Sequence, residues 1–454
     1  MMRLHFIAIG GSVMHSLAIA MHNLGHRVTG SDDAIFEPSR SNLEASGLLP
    51  KDLGWFPEKI NSEVDIIILG MHAKKDNPEL LLAKENGLKI QSYPEFLASQ
   101  SKDKSRVVIA GSHGKTTITS MILHVLNYHE TQIDFMVGAQ IKNITETLSI
   151  TEENDFILLE GDEYLSSPID LRPKFLWYNP EIALISGIAW DHVNVFPTFK
   201  SYIKQFKSFI DSIQAGGVLI YNSEDKVLKQ LVEAHPHTIK KIPYKAPNHY
   251  IDNGITYLET VEGNLPLKVF GKHNLLNLAG AQWVTQLMGV DESGFYEAIP
   301  TFIGASKRLE CLVKSKTAIL FKDFAHSPSK VKATTSAVKK QFSNHKIMVC
   351  LELHTYSSLD PEFITQYANT LDVVDEALVF FDPMALKIKK QESISPELIM
   401  QAFRKPSIKV FCQKDILFNY LLQKDYKNLI LVMMSSGTFG DLDWEPLKTR
   451  ILDF

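Results

Sequence analysis

The sequence predicts an α/β protein in three domains, residues 1–104, 105–305 and 306–454, each built on a mainly parallel sheet. Three observations carry this. A chain of 454 residues exceeds a single core and divides into about three units at roughly 150 residues each. Apolar runs of strand length alternate with helix-period stretches along the whole chain, the pattern of βαβ units. Those runs are continuous, as in strands that helices cover on both faces.

Composition narrows the class. With 45% hydrophobic, 10% aromatic and 22% charged residues, the chain has the make-up of an ordinary globular protein with material for several cores. Its 47 basic and 52 acidic side chains leave a formal charge of -5, which offers no field for nucleic acid or an anionic membrane, so small or neutral partners are expected. Cys311, Cys350 and Cys412 are odd in number and lack paired spacing; they encode neither a disulfide framework nor a zinc site and point to a reducing, cytoplasmic setting. The apolar start "LHFIAI" breaks at glycines too soon for a signal segment, and no other run reaches the roughly 18 apolar residues of a membrane span.

The opening "LHFIAIGGSVMHSLAIAMHNLGHRVTGSDD" reads as a buried strand, a glycine turn, an amphipathic helix closed near Gly25, a second strand, and an acidic end at Asp32 and Asp33. That order is Rossmann-like. Gly10 and Gly11 lack the third glycine of the dinucleotide fingerprint, since Met14 and His15 stand where it would continue, which argues against a nicotinamide oxidoreductase. "VDIIILG", from Val64 to Gly70, is another continuous strand, followed by a loop and a helix. The polar stretch "SQSKDKS", from Ser99 to Ser105, suits a linker.

A fresh strand, "RVVIA", opens the second domain and runs into "GSHGKTT". Strand, glycine loop, Lys115, Thr116 and helix follow in the order phosphate binding needs: backbone N–H groups at a helix N-terminus, an ammonium for the outer phosphates, a hydroxyl for Mg²⁺. The loop is short, however. Ile109 stands where the usual pattern has its first glycine, and Gly111 comes two residues late. The bland alternative is a strand-to-helix turn with a surface lysine, and the flanking strand and helix weigh against it. Further strands follow at "FILLE", "IALISGI" and "GGVLIYN". "ILLEGDEY" sets Glu160, Asp162 and Glu163 at a strand end, where the ligand crevice of an open α/β sheet lies. A carboxylate there would share Mg²⁺ with Thr116, although acidic turns are often only solvated.

Other segments are weaker taken singly. "GIAWDHVNVF" ends a strand with Asp191 and His192, a pair more often structural than metal-binding. "FGKHNLLNLAGA" puts His273, Asn274 and Asn277 at the start of an apolar helix, where Asn274 would also serve as a plain N-cap. "KRLE" places Lys307 and Arg308 at the end of the second domain, where an arginine would reach a transferring phosphoryl group. Beyond it the strand and helix pattern restarts as a third, Rossmann-like α/β domain, with strands at "TAILFKDFA", "KIMVCLEL", "EALVFFD" and "NLILVMMSSG"; "KDFAHSPS" offers Asp323 and His326 before a proline turn.

In this order, and over nearly the whole chain, the segments resemble the Mur ligases, the ATP-dependent amide-forming enzymes of peptidoglycan synthesis. Their short phosphate loop, G-[ST]-[NH]-G-K-[ST], has the same deficit as "GSHGKT". The resemblance implies a P-loop ATPase-like central domain in which Gly111, Ser112, His113, Gly114, Lys115, Thr116 and Thr117 hold the ATP phosphates. It assigns one Mg²⁺ to Thr116 and Glu160 and a second to His192, in the family's D-H pair. His273, Asn274 and Asn277 match the family's segment near the adenine, Arg308 its interdomain arginine, and Asp323 with His326 the segment that closes over the nucleotide. Lys115, Glu160, His192 and Arg308 are thereby the expected catalytic set. In the first domain, Gly10, Gly11, Ser12, Ser31, Asp32 and His72 are expected to hold UDP-N-acetylmuramate. Phe206 stands at the offset where some relatives carry a carbamylated lysine, between Lys204 and Lys207, so no such lysine is assigned.

Within the family, Tyr164 in "EGDEY", the segment "RPKFLWYNP", the ending "MSSGTFGD" and the missing extra glycine in "GSVM" resemble the murein peptide ligases more than the L-alanine-adding branch. The reaction so implied is attack of the amine of L-alanyl-γ-D-glutamyl-meso-diaminopimelate on an acyl phosphate made from the lactyl carboxylate and ATP. The loop "LELHTYSS" is a third variant of one that differs between the branches, which leaves L-alanine as the alternative amine. Folylpolyglutamate ligases share the ATP domain but lack the N-terminal βαβ unit. A P-loop nucleotide-binding module without amide synthesis is the reading from another class, and it predicts ATP binding or hydrolysis indifferent to a carboxylate acceptor.

Overall fold

Ile66–Leu69 is apolar throughout and buried to the last side chain, and it lies inside a parallel sheet, as continuous runs of this kind require. The computed structural model describes residues 1–138, 146–190, 195–305, 308–383 and 394–454. The chain forms two compact units, one of Met1–Ile188, Thr198–Lys245 and Gly280–Phe295, the other of Ala189–Pro197, Ala246–Ala279 and Tyr296–Phe454.

The first unit holds two sheets. Strands β1 (Arg3–Ile7), β2 (Arg27–Ser31), β3 (Ile66–Leu69) and β4 (Ile90–Ser92) are parallel in the order β2-β1-β3-β4. The helix Met14–Asn23 joins β1 to β2 and stops where the sequence says it should: Gly25, at φ +82, donates its N–H to His22 O at 2.9 Å. The expected linker begins later than its polar composition suggests. Ser99 and Gln100 finish the helix Tyr93–Gln100, and Ser101 is buried.

The second sheet comprises β5 (Ser105–Ala110), β6 (Asp134–Met136), β7 (Leu148–Ser149), β8 (Phe156–Gly161), β9 (Ile182–Ile185), β10 (Val218–Asn222) and β11 (Lys240–Tyr244). Its order is β11-β10-β9-β5-β8-β6-β7, parallel except for β7 at the edge. Central β5 pairs Ala110 with Gly161 of β8 and with Ile185 of β9, and Ile185 in turn pairs with Tyr221 of β10. Four strand ends therefore stand side by side at one sheet edge, and the loops that leave them share that edge. The helix Phe199–Asp211 packs Tyr202, Phe206 and Phe209 inward, with Phe175 stacked on Phe209 at 4.6 Å. Phe206 is fully buried there, and its neighbours Lys204 and Lys207 are exposed.

The second unit opens with an antiparallel hairpin sheet of β12 (His249–Asp252), β13 (Ile255–Thr260) and β14 (Gly263–Leu267). Gln341 fastens it: its Oε1 accepts from Thr256 Oγ1 at 2.9 Å and its Nε2 donates to Gly254 O at 2.7 Å. The large sheet runs β15 (Glu310–Lys314), β16 (Ala318–Asp323), β17 (Lys346–Glu352), β18 (Glu376–Phe380), β19 (Lys409–Phe411) and β20 (Leu429–Met434), in the order β15-β16-β20-β17-β18-β19. Alternate residues feed two cores. Ile319, Val349, Val379 and Val432 face one, and Leu320, Cys350, Leu378 and Leu431 the other. Burial on both faces explains why these strands read as unbroken apolar runs.

Candidate active site

Gly111 and Gly114 bracket the short loop at φ +123 and +82, conformations that glycine adopts without a Cβ clash. At Gly111 an added Cβ would lie 2.2 Å from Ser186 Oγ, so the end of β9 presses directly on the loop. Ser112 N–H donates to Gly187 O at 3.0 Å, Ser186 Oγ donates to His113 O, and Asn222 Nδ2 donates to Ser186 O at 3.0 Å. The loop's missing length is matched by bracing from the neighbouring strand ends. Gly114 then leads into the helix Lys115–Tyr128, which aims its N-terminal N–H groups at the same edge.

The three carboxylates at the end of β8 and just beyond it divide their partners. Glu160 accepts from Thr116 Oγ1 at 3.3 Å. Asp162 takes the Lys174 ammonium at 2.6 Å, and that ammonium sits 5.5 and 5.8 Å from the ring centres of Tyr93 and Tyr164. Glu163, fully buried, takes Lys115 Nζ at 2.7 Å and the Tyr202 hydroxyl at 2.8 Å. Lys115 also donates to Gly111 O at 2.7 Å. Burial pulls the Lys115 ammonium down, but Glu163, Asp162 and Glu160 outweigh it and hold the group above its ordinary value. It is a cation held between Gly111 O and Glu163.

The donors suit a hard cation. Thr116 and Glu160 are both nearly buried and supply only oxygen, and no group of three or more His, Cys, Asp or Glu able to hold a metal occurs among the described residues. Mg²⁺ is characteristically held by one or two protein oxygens, with phosphate oxygens and water completing its shell. The residues present fit that ion.

In the first sheet, Asp32 accepts from Gly10 N–H at 2.7 Å, and a Cβ on Gly10 would meet Asp32 Oδ2 at 2.9 Å and Ile35 Cγ1 at 2.8 Å. Burial raises the Asp32 carboxyl above its ordinary value, against the pull of the Gly10 and Ala34 N–H groups. Gly11 O receives His15 Nδ1 at 3.0 Å, and buried Ser31 receives Lys59 Nζ at 3.2 Å. Ser12 and His72 are exposed on the turns that follow β1 and β3.

The second unit gathers its own set. Asp323, at the end of β16, accepts from Leu309 N–H at 3.0 Å and from Thr334 Oγ1 at 2.6 Å. Arg308 lies 4.4 Å from the Phe324 ring centre, and His326 Nδ1 donates to Phe324 O at 2.8 Å. Burial lowers the His273 imidazole below its ordinary value, partly offset by Asp323. Asn274 does not cap its helix. It is the third residue of Lys272–Leu287, and its Nδ2 donates to Phe270 O at 2.9 Å; Asn277 is buried one turn on. Glu352, at the end of β17, accepts from Ser435 Oγ and from Phe439 N–H at 2.9 Å, so "LELHTYSS" and "MSSGTFGD" meet at one sheet edge. Asp191, His192 and Lys307 lie outside the described residues.

Sequence reasoning missed Tyr202, Ser186, Lys174 and Asp225, whose Oδ2 accepts from Ile188 N–H at 2.7 Å. Ser186 was within reach of the rule that ligands gather at the carboxyl ends of parallel strands. Tyr202 reads as core in an amphipathic helix and gives no local sign of its hydroxyl's partner.

Two family models match the chain: the Mur ligase middle domain over residues 109–285, and the Mur ligase family catalytic domain over residues 3–105. The UDP-N-acetylmuramate–L-alanine ligase of Carboxydothermus hydrogenoformans is 29% identical over 98% of this chain and 96% of its own. The enzyme of the same name from Caldicellulosiruptor bescii is 32% identical over 82% of each chain. Among solved structures, the UDP-N-acetylmuramate–alanine ligase of Thermotoga maritima superposes with a TM-score of 0.71 at 19% identity, covering 100% of this chain and 99% of that one. The murein peptide ligase of Psychrobacter arcticus gives 0.68 at 21%, again covering 100% and 99%. Both structural likenesses speak to fold alone. The expectation of a murein peptide ligase is therefore corrected: these sequence relatives, matching over 98% and 82% of this chain, carry the L-alanine name, and Tyr164, "RPKFLWYNP" and "MSSGTFGD" do not decide the branch. By likeness along its length and by fold, the chain belongs to the Mur ligase family and is an ADP-forming acid–amino-acid ligase.

Proposed function

We propose that the protein joins L-alanine to the lactyl carboxylate of UDP-N-acetylmuramate, converting ATP to ADP and phosphate. Likeness to enzymes of that name, over 98% of this chain in one and 82% in another, supports the substrates. The ATP chemistry rests on one observation: Lys115 and Thr116, adjacent at a helix N-terminus, each face a carboxylate at or just beyond the end of β8, at 2.7 and 3.3 Å.

In this reading, residues 1–104 take the UDP-sugar through Gly10, Gly11, Ser12, Ser31, Asp32 and His72; residues 105–305 take ATP and residues 306–454 the amine. The loop N–H groups and Lys115 hold the outer phosphates, so the ammonium faces the oxygens on which charge builds during phosphoryl transfer. Mg²⁺, held by Thr116 and Glu160, would neutralise the same oxygens. His192 is assigned to a second such ion, Arg308 to the transferring group, and His273, Asn274, Asn277, Asp323 and His326 to the nucleotide. The reading assigns the reaction to the cytoplasm, the reducing setting that the cysteine usage suggests.

The test is phosphate release from ATP and Mg²⁺ with UDP-N-acetylmuramate and L-alanine supplied together or singly. Release that needs both supports the ligase. Release indifferent to the sugar nucleotide would instead mark a nucleotide-hydrolysing module.

A further inference from the structure

We infer that Glu163, backed by Tyr202, is the positioning residue that fixes the Lys115 ammonium in the phosphate loop. The inference rests on the ATP reading above. Of the three carboxylates at the end of β8 and just beyond it, Glu160 is turned to Thr116 and Asp162 to Lys174, and Glu163 is the carboxylate hydrogen-bonded to Lys115.

A lysine head on a four-carbon stem does not hold its own geometry. The loop supplies one acceptor, Gly111 O, and Glu163 Oε2 supplies another, both at 2.7 Å. Glu163 is itself fixed, because it is fully buried and its Oε1 accepts from the Tyr202 hydroxyl at 2.8 Å. Tyr202 is equally buried, and its hydroxyl lies 2.9 Å from Ser112 Oγ. The contacts close a ring, from Ser112 through Tyr202, Glu163 and Lys115 to Gly111, that begins and ends in the loop. A loop two residues short has less backbone to enclose an ammonium, and the helix Phe199–Asp211 completes the enclosure from outside. A buried ion pair adds little net stability, and its better-attested use is to hold one geometry.

The experiment compares wild type, Glu163→Gln, Tyr202→Phe and the double variant. It measures affinity for the β,γ-imido analogue of ATP by calorimetry, and kcat for ADP formation with UDP-N-acetylmuramate and L-alanine. Glu163→Gln is expected to keep affinity within about threefold while kcat falls by about thirtyfold or more. Tyr202→Phe should lower kcat by about three- to tenfold, and the double variant should be no slower than Glu163→Gln alone, because both act through one ammonium. Wild-type kcat in Glu163→Gln, or effects that multiply in the double variant, would overturn the inference. If Glu163→Gln shows no melting transition, Tyr202→Phe decides: a kcat loss at unchanged affinity supports the ring, and an unchanged kcat overturns it. Wild type that binds no analogue would remove the ATP reading and this inference with it, whereas wild-type kcat in a nucleotide-binding Glu163→Gln removes the inference alone.

Discussion

In the proposed ATP reading, Lys115 has two jobs that separate on substitution. As a charge for the phosphates, its loss in Lys115→Ala should cut ADP formation by about 10³-fold or more while UDP-sugar binding stays within about twofold. Wild-type turnover would refute the assignment. As the partner of Glu163, its loss strands a buried carboxylate, so the same variant should unfold about 3 kcal/mol more easily, and adding Glu163→Gln should recover part of that. Gly111 is constrained by its φ of +123 and by Ser186 Oγ, 2.2 Å from an added Cβ; Gly111→Ala should weaken nucleotide binding by about tenfold or more in calorimetry. The placing of Lys115 and Thr116 at a helix N-terminus was legible in the sequence because a strand, a glycine loop and a helix fix it locally, and Glu160 was legible as the end of an apolar strand. Tyr202 was not, since its contact with Ser112 spans 90 residues and is made only when the helix packs on the sheet.

Elements were legible where their pattern is self-sufficient. The buried parallel strands stood out as unbroken apolar runs, and the first helix stopped at Gly25 as predicted. The β12–β13 hairpin was overlooked although its signal is strong: Asn253 and Gly254, at φ +48 and +75, form the two-residue turn that Asn-Gly favours. Two elements make predictions. Asp225 caps the helix Lys226–Glu233 through Leu228 N–H at 3.0 Å and ties down Ile188 beside the loop, so Asp225→Ala should cost about 1–2 kcal/mol in denaturant unfolding. His15 joins the helix Met14–Asn23 to Ser39 at 3.0 Å, and burial lowers its imidazole below the ordinary value. The unfolded chain therefore binds the proton more readily. The stability this group contributes is complete above its ordinary value near 6.5 and is lost as pH falls toward the lowered native one. His15→Asn should flatten the melting temperature against pH over that acid window, compared with wild type.

At the scale of the molecule, the α/β class with mainly parallel sheets was readable from the alternation of strand-length and helix-length segments, because each βαβ unit carries its own pattern. The choice of amine was not. Short motif likenesses at Tyr164, "RPKFLWYNP" and "MSSGTFGD" pointed to a peptide that the sequence relatives do not support. The amine proposed here is L-alanine. The most direct test supplies ATP, Mg²⁺ and UDP-N-acetylmuramate with equal concentrations of L-alanine and L-alanyl-γ-D-glutamyl-meso-diaminopimelate, and identifies the product by mass. The account predicts UDP-N-acetylmuramoyl-L-alanine as the dominant product; a product carrying only the tripeptide would contradict it.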